Sequence, residues 1–398
     1  MSQKKPSTKI IHSGEVEFTK KVLRSVSVPK VPPIFMSSVF SFDDVDSLES
    51  VYDGTAEGYV YSRMSNPTTD GVGEILAAAE DCDGALVFSS GMAAIITAIL
   101  ANVESGDHII SSPVLYGGVY DYFTNEIKRF GVEVTFVDFV NDDIEKYIKA
   151  NTKIIYTETI SNPLMEVMDI SKISMIAHKH DCKLIVDNTF ATAAIVKPLS
   201  FGADIVAYST TKFLGGHSDI IGGALLADKE TTDHLRRFSI LYGATMSPFD
   251  AWLLARSLRT LEIRIEKHSK NALKVAKFLE SHPKIENVYY PGLESSPSYE
   301  LAQKFFINGR CGGMLSADLA GGEEAATKFI KECESIKFVP SLAGVSTTLS
   351  YPAKTSHRAY SKDELQRVGI SNGQLRFSIG LEDVDDIIEE LKSALDRI

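Results

Sequence analysis

Asp204-Ile-Val-Ala-Tyr-Ser-Thr-Thr-Lys-Phe-Leu-Gly-Gly-His-Ser218 decides how the rest of the chain is read. The apolar run Ile205-Val206-Ala207 has the character of a buried strand. It breaks into three hydroxyl residues, Ser209, Thr210 and Thr211, then a single lysine, Lys212, and the glycines Gly215 and Gly216. A lysine at the end of a buried strand is costly unless its amine is neutral or covalently occupied. Hydroxyls beside it are what a phosphate would bind. Taken alone, a lysine after Thr-Thr reads more simply as a surface residue at a strand-to-loop junction, so the sharper reading depends on what the other motifs supply.

Working outward, the chain alternates short apolar runs with amphipathic stretches. Ala85-Leu-Val-Phe88 precedes a helical pattern from Met92 to Leu100. His108-Ile-Ile110, a Tyr120–Phe130 helix and Val132–Val137 follow, then Lys153-Ile-Ile-Tyr156, Lys183-Leu-Ile-Val186 and Gly223-Ala-Leu-Leu226. This alternation predicts βα units, a mostly parallel sheet with helices on both faces, and ligands at the carboxyl ends of the strands. Ser247-Pro248 opens a long helical pattern to about Ser281. Beyond it, Gly313–Leu319, a helix from Glu323 to Cys333, Leu375–Ile379 and a final helix from Val384 predict a smaller, antiparallel α/β domain. The expected division is 1–62 as an N-terminal arm lying on a neighbouring subunit, 63–260 as the cofactor-binding domain and 261–398 as the C-terminal domain.

Composition narrows the function classes. The chain has 398 residues, enough for two or three domains, and 44% hydrophobic with 24% charged content is that of a globular protein. A formal net charge of −12 argues against nucleic acid and anionic membrane surfaces as partners. The first nine residues have no apolar core, and the longest apolar stretch, Ala93–Ala101, contains Thr97 and is too short to span a bilayer. Cys82, Cys182, Cys311 and Cys333 form no CxxC pair, which fits a reducing cytoplasm, and the nine histidines lack metal-ligand spacing. His178 and His180 are expected to be solvated, and no metal is expected.

Further motifs fall at strand ends. Ser89-Ser-Gly-Met92 opens a helix after a strand, and the amides of Gly91 and Met92 there would hold a phosphate with Ser209 and Thr211. A plain strand-to-helix turn is the alternative. Asp187, after Lys183–Val186, must be paired to stay charged, and a pyridinium nitrogen is such a partner; a capping Asp at a corner fits equally well. Tyr116, before Gly117-Gly118, could stack on a ring and shuttle a proton, or merely pack. Asn162, before Pro163, could bond a ring hydroxyl or simply make a turn. Arg63, in Tyr61-Ser-Arg63, could clamp phosphate. Arg376, in an apolar strand, needs an anion, either a substrate carboxylate or a structural acid. A lysine able to form a Schiff base beside phosphate ligands points to pyridoxal phosphate (PLP).

Together these motifs resemble the Cys/Met-metabolism PLP-dependent enzymes, the group of methionine γ-lyase, cystathionine γ-lyase and cystathionine γ-synthase. Tyr61-x-Arg-x-x-Asn-Pro67, Ser-Gly-Met92, Tyr116-Gly-Gly, Val-Asp187-Asn-Thr and the Lys212 segment recur in order. The resemblance implies the aspartate-aminotransferase type of PLP-dependent transferase fold. It implies that Lys212 carries the cofactor and that Gly91, Met92, Ser209 and Thr211 bind its phosphate, with Tyr61 and Arg63 reaching in from a neighbouring subunit. Tyr116 would stack on the ring, Asn162 contact its hydroxyl oxygen, Asp187 pair its nitrogen, and Ser341 and Arg376 hold the substrate carboxylate. A site shared across subunits implies an obligate dimer, and the resemblance implies a homotetramer made of two such dimers.

The same resemblance implies a mechanism. Lys212, displaced by the substrate amine, takes the Cα proton, a second proton then leaves Cβ, and the Cγ substituent departs with a proton from Tyr116, so that hydrolysis releases 2-oxobutanoate and ammonia. Earlier arrest would give pyruvate; adding a nucleophile would give γ-replacement. Two departures bear on substrate. Methionine γ-lyases typically carry Cys where this chain has Gly118, and cystathionine enzymes typically carry Glu where it has Pro340. Pro340 cannot pair with a distal amine, which leans toward methionine or homocysteine. Cystathionine γ- or β-lyase, or a synthase or sulfhydrylase acting on acylated homoserine, remains the alternative.

Overall fold

The computed structural model describes residues 5–13, 29–358 and 360–398. In chain order the strands are β1 (Gly84–Phe88), β2 (His108–Ser111), β3 (Glu133–Phe136), β4 (Thr152–Glu158), β5 (Lys183–Asp187) and β6 (Ile205–Tyr208). They continue as β7 (Gly223–Ala227), β8 (Ile285–Tyr289), β9 (Met314–Leu319), β10 (Lys337–Phe338), β11 (Thr348–Ser350) and β12 (Gln374–Ser378). A seven-stranded sheet has the order β1-β7-β6-β5-β4-β2-β3, and a five-stranded sheet the order β10-β11-β12-β9-β8. This is the expected α/β class, a large sheet with helices and a second, smaller sheet.

The chain forms two compact units. Of the described residues, one comprises those within Met1–Ala101, Ala207–Gly215 and Asp219–Thr260; the other comprises those within Asn102–Val206, Gly216–Ser218 and Leu261–Ile398. In the first, β1 and β7 pair antiparallel, from Gly84 opposite Ala227 to Phe88 opposite Gly223. This is an antiparallel edge on a sheet expected to be mostly parallel. The helix Pro67–Glu80 starts where Asn66 Oδ1 accepts the Thr68 N–H at 2.8 Å, with Pro67 at a position whose missing N–H costs nothing. Asp81 closes it in a left-handed conformation, φ 59°. Tyr208, the last residue of β6, donates its hydroxyl to Glu80 Oε2 at 2.8 Å.

Part of the expected arm lies at residues 1–4 and 14–28, outside the described residues. The described part makes contacts within its own unit: Lys9 pairs with Asp81, Arg259 Nη1 donates to Ile11 O at 2.6 Å, and Trp252 Nε1 donates to Pro32 O at 3.2 Å.

In the second unit β3, β2, β4 and β5 run parallel. Ile109, Ile110, Ile154, Ile155, Leu184, Ile185 and Val186 are fully buried. Strands covered on both faces need such continuous apolar runs, and each side chain contributes about 1.5–3 kcal/mol by burial. The smaller sheet is mixed rather than purely antiparallel, because β10 and β11 pair parallel. Two helical patterns are also subdivided. The long one is interrupted at Arg259-Thr260, giving Pro248–Leu258 and Leu261–Glu280. The Tyr120–Phe130 stretch is a short α-helix, Gly117–Asp121, followed by a π turn, Tyr122–Glu126, and a 3₁₀ turn, Ile127–Phe130. His178 and His180, expected to be solvated, lie beside Asp204 at 3.0 Å and Glu145 at 2.8 Å. Among the described residues no helix is long and apolar enough to cross a membrane.

Candidate active site

In the first unit the residues anticipated around a phosphate converge. The helix Gly91–Leu100 follows β1 after a two-residue turn, and its cap, Ser90 Oγ, accepts the Ala93 N–H at 3.1 Å. Gly91 and Met92 occupy the first two helical positions, where amides have no acceptor within the helix. The turn after β6 packs directly on this helix start: a Cβ placed on Gly91 would lie 2.8 Å from Ser209 Cβ. A Cβ on Gly223, at the start of β7, would lie 2.2 Å from Ser90 O and 2.9 Å from Gly91 Cα. Only glycine allows either approach.

Lys212 is half-buried, and its N–H bonds Ser209 O at 3.1 Å, closing the hydroxyl-rich turn. Thr211 Oγ1 accepts the Gly222 N–H at 3.0 Å, so backbone fixes the orientation of that hydroxyl. Thr210 is fully buried and its Oγ1 has no hydrogen-bond partner. Tyr61 and Arg63 are exposed on this chain; Arg63 Nη1 donates to Ile240 O at 2.7 Å and its guanidinium carbon lies 5.6 Å from the Tyr61 ring centroid.

The second unit gathers Tyr116, Asn162, Asp187 and Arg376. Asp187 ends β5, buried, with Oδ1 accepting the Thr189 N–H at 2.9 Å. Burial pushes its carboxyl up, and the Thr189 hydrogen bonds only partly oppose this. An acid so placed gains from a cationic partner. Arg376 Nη1 donates to Asn162 Oδ1 at 2.7 Å, while its Nε is buried without a partner. Burial pulls the guanidinium down to about 10, against the opposing pull of Glu158 and Tyr116. Orphaned buried donors are rare, and this one suits an anionic ligand. Tyr116 is 45% exposed, and its N–H donates to Glu158 Oε1 at 2.7 Å. Ser341 is half-buried and Pro340 exposed, on the segment between β10 and β11.

Two residues here escaped sequence reasoning. Glu158 ends β4 directly opposite Asp187. Burial, then Asp187, raise its carboxyl well above the usual range, against the Tyr116 amide and Arg376. The available signal was the one used for Asp187, an acid closing an apolar run. His357 is fully buried, with Nε2 3.0 Å from Leu115 O and Nδ1 2.9 Å from Ser356 Oγ, and burial holds it down to about 4. Its polar neighbours in sequence give no such signal.

The family model for Cys/Met metabolism PLP-dependent enzymes matches residues 7–396. The chain belongs to this family. Within it, the chain is similar to the L-methionine gamma-lyase of Treponema denticola, 40% identical over 397 residues, spanning 98% of this chain and 97% of that protein. It is likewise similar to the cystathionine gamma-lyase of Bacillus subtilis, 40% identical over 347 residues, 87% of this chain and 90% of that one. Among solved structures, a Campylobacter jejuni protein assigned as an O-acetylhomoserine (thiol)-lyase superposes with a TM-score of 0.92 at 33% identity, covering 99% of this chain and 100% of its own. It carries a pyridoxyl-lysine monophosphate. The cofactor of this Cys/Met-metabolism enzyme is therefore PLP. Each unit by itself carries residues that fit part of that group: in the first, a helix start cleared by Gly91 and Gly223 suits a phosphate; in the second, the buried carboxyl of Asp187 suits a ring nitrogen.

Proposed function

We propose that this chain is a carbon–sulfur lyase that cleaves methionine or homocysteine by α,γ-elimination, releasing 2-oxobutanoate, ammonia and a thiol. The observation that carries this reading is the 40% identity to an L-methionine gamma-lyase over 98% of the chain. Pro340 supports it, since a side chain without charge suits a substrate whose distal end is apolar.

Each residue then has a task. The amides of Gly91 and Met92 and the hydroxyls of Ser209 and Thr211 grip the phosphate, and Tyr61 and Arg63 serve the site of a neighbouring subunit. Asp187 stays ionised against the ring nitrogen, Asn162 offers its Nδ2 to the ring oxygen, and the Tyr116 ring stacks. When bound, PLP supplies the sink for the electrons released as the Cα–H bond breaks. Lys212 anchors the cofactor, and once displaced by the substrate amine its Nζ takes the Cα proton and then a Cβ proton; the Cβ–H electron pair forms a Cβ–Cγ double bond as the Cγ–S bond breaks, and water finally releases 2-oxobutanoate and ammonia. Ser341 and Arg376 hold the substrate carboxylate, fixing which Cα bond faces Lys212. The Tyr116 hydroxyl delivers a proton to the departing sulfur, so that it leaves as a thiol rather than a thiolate.

In this reading residues 1–62 are the arm, 63–260 the PLP domain and 261–398 the C-terminal domain, and the enzyme works in the cytoplasm as a homotetramer. A substrate panel tests it: methionine, homocysteine, cystathionine, cysteine and acylated homoserines, scored as 2-oxobutanoate against pyruvate. Pyruvate as the main oxoacid, or thioether formation from acylated homoserine plus a thiol in place of oxoacid, overturns it. The Bacillus subtilis relative makes cystathionine γ-cleavage the second reading, and the same panel separates the two.

A further inference from the structure

Tyr116 is held from its backbone. The residue is 45% exposed, and it caps the short helix Gly117–Asp121 without a side-chain cap bond. The peptide on either side is gripped on three fronts. Glu158 Oε1 accepts the Tyr116 N–H at 2.7 Å. His357 Nε2 bonds Leu115 O at 3.0 Å, which requires the tautomer with the proton on Nε2, since a carbonyl only accepts. Ser356 O crowds the next residue so closely that a Cβ on Gly117 would lie 1.6 Å from it. Of these, Glu158 alone brings a side chain that ends a strand of the sheet, and β4 is anchored there by its register with β5, Glu158 opposite Asp187.

We infer that Glu158 is the positioning residue of Tyr116: its carboxyl, fixed at the end of β4, sets the peptide from which the proton-donating phenol hangs. The inference rests on the reading of Tyr116 as donor to the leaving group. Reach matters more than charge in this role. A rotation of the 115–117 peptide is carried outward along the Tyr116 side chain, so a small shift of the amide becomes a larger one at the hydroxyl. Misplacing a reacting group by about 1 Å costs about 100-fold in rate.

Two variants separate reach from charge. Glu158→Gln keeps an oxygen at the same distance and removes the ionisable carboxyl; Glu158→Asp keeps the carboxyl and withdraws the oxygen by one methylene. Hydrogen–deuterium exchange of the Tyr116 amide in the PLP-loaded protein reads the contact directly. We expect protection in wild type and Glu158→Gln, and exchange at least about tenfold faster in Glu158→Asp. With the best substrate of the panel, kcat should fall about 100-fold in Glu158→Asp at nearly constant KM, and stay within about fivefold in Glu158→Gln. A Gln variant as impaired as Asp, or unchanged Tyr116 exchange in Asp, overturns the inference. The exchange result stands whichever amino acid proves to be the substrate, so it fails independently of the proposed function.

Discussion

Arg376 and Asn162, 214 positions apart, are joined by a hydrogen bond of 2.7 Å from Nη1 to Oδ1, while Arg376 Nε has no partner. One edge of the guanidinium is thus fixed by Asn162 and another donor is left over. A lysine offers one charged point and cannot serve both. Arg376→Lys should raise KM for the amino-acid substrate about 10- to 100-fold, the loss of a charge-assisted hydrogen bond, with the bound PLP absorbance retained. Steady-state kinetics with parallel visible spectra measure both.

Gly118 bears on Tyr116, two positions before it. A Cβ on Gly118 would lie 2.7 Å from Tyr116 Cε1, so any side chain there forces the ring to turn. Gly118→Ala and Gly118→Cys should both lower kcat/KM by about tenfold, because the obstruction is the Cβ and not the thiol. If only the Cys variant changes, chemistry of the sulfur is responsible instead.

Acid sensitivity should track two buried histidines. Burial holds His357 and His268 down to about 4, so each stays neutral in the folded chain while the unfolded chain takes up a proton below about 6.5. The unfolded state then binds more protons, and stability, complete above pH 6.5, falls as pH drops toward 4. Replacing His357 by Gln should shrink the stability lost between pH 7.5 and 5.0 by about 2 kcal/mol, read from urea midpoints at the two pH values.

Gly223→Ala tests the phosphate cradle. The added methyl would meet Ser90 O at 2.2 Å, a backbone atom with little room to retreat. We expect a loss of about 1–3 kcal/mol in stability and weaker PLP binding, measured by denaturant midpoint and by cofactor titration of the apoprotein.

Substrate choice is addressed at Pro340. In the proposed site Pro340→Glu introduces an acid where a distal ammonium would need one, and should raise kcat/KM for cystathionine relative to methionine by about tenfold. An unchanged ratio would place that discrimination elsewhere.

Much of this was legible before any coordinates. Ile205–Tyr208 reads as a strand because an apolar run ends in hydroxyls, and Asp187 stands out because an acid closes Lys183–Val186; both lie where the local pattern puts them. The features that escaped are non-local. The facing of Glu158 and Asp187 depends on the register between β4 and β5, and periodicity within one strand carries no register. The burial of His357 depends on Leu115, 242 positions earlier. The break at Arg259-Thr260 has neither Pro nor Gly to announce it, and the parallel pairing of β10 with β11 is a property of two short segments brought together by everything between them.

The Gly91–Ser209 packing has a consequence for how such an enzyme diversifies. In the proposed site the grip on phosphate is made largely of main chain and clearance, which drift in side chains barely touches and which a single methyl spoils. Pro340, by contrast, is one exposed side chain, free to change without disturbing the packing. A lineage built this way can exchange one sulfur amino acid for another many times while never renegotiating its cofactor.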